Sequence, residues 1–381
     1  GTVEWSLSDA HVEGTIATGR GMGMNEYVFY LPRGGASKAV SVEAGAVIWS
    51  CPAPPANTGA TNAGGVVVVN ESAQRVSSVG LQPALEGESA NRGSMVSPGV
   101  GLCAATSESG QSGVNAPGNM VAGDHGVFFA TSDGTLRLME VDGGAVGTTS
   151  LNHSLGGVGT ANGLAMTSGS RVVVCSGGGS GVGGLFAYDI SQSCSGTCAY
   201  AATPAWGAGG AATPTSGPAV SVDSVFAQRR TPAGGNSVLF RVQRADGGAE
   251  VATSLLGSNF SGNGVPTPVI GRGNWLYAVD DQGSLYVLPQ DFGAGEPVAW
   301  SFKLPSALGP SVAVVASPTL DCNRRRPDSD STGVLYIATE SGWVVSYLVD
   351  SRGLEPSAPW PKYARDARNT GNFNGPAIDC P

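Results

Sequence analysis

Residues 264–302 read GVPTPVIGRGNWLYAVDDQGSLYVLPQDFGAGEPVAWSF, and this stretch decides the fold. Residues 275–279 and 284–288 are rich in aromatic and β-branched side chains, and 280–283 supply a Gly-ending turn between them. The spacing predicts a β-hairpin. Ahead of it VPTPVIG is a lead-in strand of small residues and Pro, and behind it Trp300 closes the unit.

The same phrase returns along the chain. At 126–144 (GVFFATSDGTLRLMEVDGG) Asp133 and Gly134 hold the turn, and at 333–353 (GVLYIATESGWVVSYLVDSRG) Ser341 and Gly342 do. Weaker copies begin at Asn25, Gly64, Ser170 and Asp223, the second followed by a long Ser/Gly/Ala stretch over 81–118. First strands then lie near Val28, Val67, Val127, Val173, Val225, Leu276 and Leu335. Spacings of roughly 40 to 60 residues are those of propeller blades rather than helical repeats.

The expected fold is all-β: one β-propeller domain over 1–381, with seven blades of four-stranded antiparallel sheet and eight blades as the alternative. The blades are 11–50, 51–118, 119–154, 155–210, 211–258, 259–304 and 305–359, with a tail at 360–381. Trp49, Trp206 and Trp300 each close a unit and are expected to pack between neighbouring blades. Segment 1–10 holds an orphan strand, 3–7 in TVEWSL, while the chain after Leu348 is too rich in Pro and charge for a good strand. Strand 3–7 is therefore expected to complete the last blade and remove a free sheet edge.

These units resemble the repeats of the pyrroloquinoline-quinone-like, or quinoprotein-like, β-propeller superfamily. VPTPVIGRGNWLYAVDDQGSLYVL with Trp300 fits that pattern closely, and GGLFAYDI and TLRLMEVDGG fit in part. The tail WPKYARDARNTGN, 360–372, resembles the closing segment of such propellers in bacterial envelope proteins. The quinone enzymes of the superfamily carry adjacent cysteines, a calcium-bound acid cluster and a Trp floor. This chain has neither a Cys-Cys pair nor a CxxCH haem motif, so the resemblance carries over the fold without cofactor or reaction.

Composition limits the alternatives. With 59 Gly, 13% charged and 41% hydrophobic residues, the chain has turns throughout, and Gly or Pro interrupts nearly every window of helical length. A net charge of -9 disfavours a nucleic-acid partner. No run approaches the ~20 apolar residues that cross a bilayer as a helix. The sequence starts at Gly1 without Met, compatible with a removed export signal, a lipid-anchor linker upstream of Gly1, or a boundary chosen for expression.

Seven cysteines bear on compartment. Cys194 and Cys198, in a loop after the fourth hairpin, are close enough for a small disulfide ring. Cys322 with Cys380 would pin the tail, and Cys51 with Cys103 would staple the long insertion. Cys175, in an apolar strand, reads as a buried thiol. Three bridges would imply an oxidising compartment: periplasm, outer-membrane surface or cell exterior.

Few residues suggest chemistry. Asp328, Asp330 and Thr332 in PDSDSTG are candidate calcium ligands, because alternate oxygens can converge on one hard cation. No other cofactor is expected. Trp360, Tyr363, Arg365 and Arg368 have the aromatic and Arg character of binding hot spots, against which stands a purely sealing role. The expected function is a non-catalytic protein-binding scaffold of the bacterial envelope or surface. A carbohydrate-binding or adhesive protein, and an enzyme with acids assembled at the propeller axis, are the alternatives.

Overall fold

The computed structural model describes residues 17–20, 26–30, 37–41, 45–51, 58–63, 66–72, 75–83, 93–95, 121–131, 134–142, 145–155, 161–176, 184–195, 197–209, 216–230, 236–244, 250–259, 266–280, 283–304, 314, 317–322, 331–339, 343–363, 365 and 373. Among them every regular element is a strand, and the strands group into seven sheets whose order follows the chain. The chain divides into two compact units: Gly1–Gly156 with Ile190–Ala202 and Arg368–Asn374, and Gly157–Asp189 with Thr203–Ala367 and Gly375–Pro381.

The first unit contains three four-stranded sheets. They are β1 (Ala17–Arg20), β2 (Glu26–Tyr30), β3 (Ser37–Ser41) and β4 (Val47–Cys51); then β5 (Thr58–Ala63), β6 (Val66–Ser72), β7 (Arg75–Pro83) and β8 (Gly93–Met95). The third is β9 (Val121–Gly123), β10 (Gly126–Thr131), β11 (Thr135–Asp142) and β12 (Ala145–Ser154). First strands of successive sheets touch, β1 with β5 and β5 with β9.

The fourth sheet is β13 (Ala161–Ser168), β14 (Arg171–Ser176), β15 (Gly184–Ser195) and β16 (Thr197–Gly209). The fifth is β17 (Ala219–Val220), β18 (Ser224–Arg230), β19 (Asn236–Gln243) and β20 (Val251–Asn259). The sixth is β21 (Val269–Gly271), β22 (Trp275–Val279), β23 (Ser284–Pro289) and β24 (Trp300–Lys303). The seventh has three described strands, β25 (Thr319–Cys322), β26 (Gly333–Ala338) and β27 (Val344–Val349). In the second unit first strands touch likewise, β13 with β17, β17 with β21 and β21 with β25.

The sixth sheet shows how the sequence phrase produces stacking. β22 and β23 pair antiparallel with Leu276 opposite Leu288, Tyr277 opposite Val287 and Ala278 opposite Tyr286. Gly283 takes φ 78°, a left-handed conformation that suits Gly at this turn. Alternation along each strand then divides its side chains between two cores. Leu276, Ala278, Tyr286 and Leu288 pack with Ala219, Phe226 and Leu239 of the fifth sheet. Tyr277, Val279, Leu285 and Val287 pack with Leu320, Leu335, Ile337 and Val349 of the seventh. Both faces are buried because a sheet lies on each side.

Two expectations need correction. Trp300 does not disappear between sheets: all four residues of β24 are exposed, Trp300 by 40% and Phe302 by 41%, although Phe302 meets Tyr347 at a ring separation of 5.1 Å. The outermost strand of this sheet is thus only partly covered, through Phe302 against Tyr347 of the seventh. Cys194 and Cys198 lie at the end of β15 and the start of β16 rather than in a loop. Strand 3–7 and the side chain of Trp49 fall outside the described residues, and Trp206 on β16 is half-buried.

Candidate functional site

The tail after β27 is a strap along first strands. Ser351 Oγ donates to Arg272 O at 2.6 Å, Arg272 N donates to Gly353 O at 3.0 Å, and Glu355 N donates to Ile270 O at 3.1 Å. Further on, Ile270 N donates to Pro361 O at 2.7 Å, and Trp360 and Val220 bridge antiparallel. The free edges of β21 and β17 are thereby covered. Trp360 is fully buried, Lys362 is 1% exposed with Nζ donating to Tyr363 O at 2.7 Å, and Arg365 is 8% exposed at φ 74°. Trp360 and Arg365 are thus packed inside the second unit and do not offer the exposed surface expected of hot spots. Tyr363 is half-buried, and Arg368 lies outside the described residues.

The hairpin of β15 and β16 is the opposite case. Residues 191–195 are all exposed, with Ser191 Oγ donating to Ala201 O at 3.5 Å and Gln192 Nε2 donating to the Tyr200 hydroxyl at 2.8 Å. Cys194 and Cys198 are bonded to each other, closing the tip. Tyr200 packs edge-on against His125, which follows β9, at 5.5 Å between ring centres. Cys322 is also disulfide-bonded, Cys175 is fully buried on β14, and Cys103 and Cys380 fall outside the described residues.

A polar pocket of about 670 Å³ opens in the second unit where turns of the fourth, fifth and sixth sheets meet. Its fifth-sheet wall is the turn from β17 to β18, held by Ser224 N donating to Ser221 Oγ at 3.0 Å and Ser221 N donating to Ser224 O at 2.8 Å. Arg244, just past β19, clamps that turn: Nη1 donates to Ser221 O at 2.9 Å and Val222 O at 2.7 Å, and Nη2 reaches Thr167 O at 3.2 Å. Arg241 lies over the Phe292 ring at 5.5 Å and donates to Gln290 O at 3.3 Å. Arg171 forks onto Asp189, its cross-strand neighbour, with Nη2 donating to Oδ2 at 2.8 Å.

Electrostatics differ among these guanidinium groups. The hydrogen bond to Asp189 outweighs burial and raises the Arg171 pKa. Arg244 is shifted down, first by burial and then by the charge of Arg171, with Asp223 opposing. Its three acceptors are neutral carbonyls, so its charge is solvated by dipoles. Two acids also line the pocket, Asp223 and Asp291, both exposed, and Asp291 accepts from Asn274 Nδ2 at 3.0 Å.

Asp328 and Asp330 lie outside the described residues, and Thr332 is half-buried just before β26. Among the described residues no group of three His, Cys, Asp or Glu converges as a metal site, and no helix is long and apolar enough to cross a membrane. The polar pocket was not foreseen from sequence, since its residues come from three repeats. Their one shared signal is an Arg at strand ends in successive copies.

No protein-family model matches the sequence, and no curated protein does. Among solved structures the chain is similar to BamB from Moraxella catarrhalis, with 13% identity, a TM-score of 0.57, and coverage of 91% of this chain and 88% of that one. A computationally designed protein, Ika8, aligns over 89% of this chain and 99% of its own at 12% identity, with a TM-score of 0.43. The likeness to BamB is one of fold alone: the four-stranded antiparallel sheets of this chain are those of a β-propeller.

Proposed function

We propose that this propeller is a non-catalytic protein-binding scaffold of the bacterial cell envelope or surface. In this reading residues 1–381 form one ring of seven blades, and strand 3–7 completes the seventh sheet.

The observation that carries the functional reading is the β15–β16 hairpin. A polar tip with residues 191–195 exposed would fray in isolation. Here a disulfide and side-chain hydrogen bonds across the strands hold it, so little conformational freedom remains to be lost on docking. Bonded cysteines in this hairpin and at Cys322 support an oxidising compartment. The tail acts as structure in this account, with Trp360 and Arg365 positioning the strap.

A variant in which residues 191–201 are replaced by a two-residue Asn-Gly turn tests the reading. It should keep the thermal stability of the parent and lose a discrete partner that the parent retains from envelope extract. Equal retention by both proteins would contradict it.

A further inference from the structure

We propose that the arginine-lined pocket of the second unit is a binding site for a carboxylate group, with Arg241 and Arg244 as the recognising cations. Three independent features lead there. The pocket brings together guanidinium groups from separate repeats, Arg171 from the fourth sheet and Arg241 and Arg244 from the fifth. Arg171 is offset by its fork onto Asp189, whereas Arg241 and Arg244 form no ion pair with an acid among the described residues.

Next, donors remain. Arg241 makes one long hydrogen bond, at 3.3 Å, while Phe292 supports its face. Its Nε is buried without a hydrogen-bond partner. Arg244 donates to carbonyl oxygens, which orient the fork and leave the positive charge in place. With both Nη1 hydrogens and one Nη2 hydrogen given to carbonyls, the edge of Arg244 left for a carboxylate is Nε and the second Nη2 hydrogen.

Finally, the two acids of the lining, Asp223 and Asp291, form no ion pair with Arg241 or Arg244, although the Asp223 charge acts on Arg244. Asp223 and Asp291 are exposed, whereas Arg241 and Arg244 are half-buried. Burial and Arg171 together press the Arg244 pKa downward, which is the field an incoming anion would relieve.

Two sources supply a carboxylate, a free organic acid and a Glu or Asp side chain of a peptide. The assignment does not depend on the hairpin, because no pocket residue belongs to its tip. The test is fluorescence anisotropy with a labelled Gly-Glu-Gly-Glu-Gly peptide, its Gln counterpart, and succinate and inorganic phosphate as competitors. The Glu peptide should bind at least about tenfold more tightly than the Gln peptide, as expected for charge-assisted bonds. Arg241→Gln should weaken it by a similar factor, and Asp223→Asn, which removes a competing acid at the margin, should tighten it. That gain cannot come from unfolding.

Succinate binding directly while the peptides do not would place the site with free acids and sustain the proposal. Preference for the peptide would place it with acidic segments of proteins. Equal binding of both peptides with no succinate binding, phosphate competing better than succinate, or indifference to Arg241→Gln and Asp223→Asn would overturn it. Loss of hairpin-dependent partner retention with intact anion binding would refute only the scaffold reading.

Discussion

Trp360 and Val220 exchange both backbone hydrogen bonds, Val220 N to Trp360 O at 2.7 Å and Trp360 N to Val220 O at 3.2 Å. The tail therefore bridges the edge of β17, and the fully buried Trp360 ring anchors it. Trp360→Ala should cost about 3–5 kcal/mol by cavity formation, measured by denaturant unfolding. Trp360→Phe should cost much less, since it also removes an indole N–H that has no partner. Equal effects would show that the ring does not anchor the strap.

Gly333 opens β26 against the strap. A Cβ there would sit 2.1 Å from Ser351 O and 2.9 Å from Asp321 O, both backbone atoms. Gly333→Ala should destabilise by at least ~1–3 kcal/mol through overpacking. Gly293→Ala, where the nearest atom is Glu296 Oε2 at 3.5 Å, should stay within about 0.5 kcal/mol of the parent.

Asp280 is fully buried and accepts from Ser284 N at 2.7 Å and the Tyr286 hydroxyl at 3.0 Å, so it organises the turn of the best-matched repeat. Tyr286→Phe and Asp280→Asn should each destabilise, the second by more because the backbone N–H bond also weakens. In a double-mutant cycle the pair should couple by ~0.5–3 kcal/mol, and zero coupling would contradict the contact.

Burial pushes the Tyr277 phenol up to about 12 from 10.0, the bond to Ser351 partly opposing and Asp350 reinforcing. A raised pKa means the folded state holds its proton after the unfolded state has released it. The contribution is complete below pH 10.0 and is lost as pH rises toward about 12, by at most ~1.4 kcal/mol per pH unit. Unfolding at graded alkaline pH should show this fall, and Tyr277→Phe should make it shallower.

The hairpins were legible because their alternation is strong: Leu276, Ala278, Tyr286 and Leu288 on one face and Tyr277, Val279, Leu285 and Val287 on the other are what two-sided stacking requires. The extension of β15 and β16 was not legible. Residues 191–195 carry no apolar alternation because neither face is buried, so they resemble loop in sequence. The strap reads in sequence as a candidate surface for a related reason: Pro and charge signal irregular chain, while Trp360 and Lys362 are buried by contacts far away in sequence. Arg241 and Arg244 gave no sign of a pocket, since its other walls come from separate repeats.

The most direct measurement of the scaffold reading is photo-crosslinking in cells of the source organism. A photoreactive residue at Ser193, exposed at the hairpin tip, is compared with one at Ser301, exposed on β24. The account predicts one discrete protein adduct from position 193 and none from 301. No adduct from 193, or the same adducts from both positions, would contradict it.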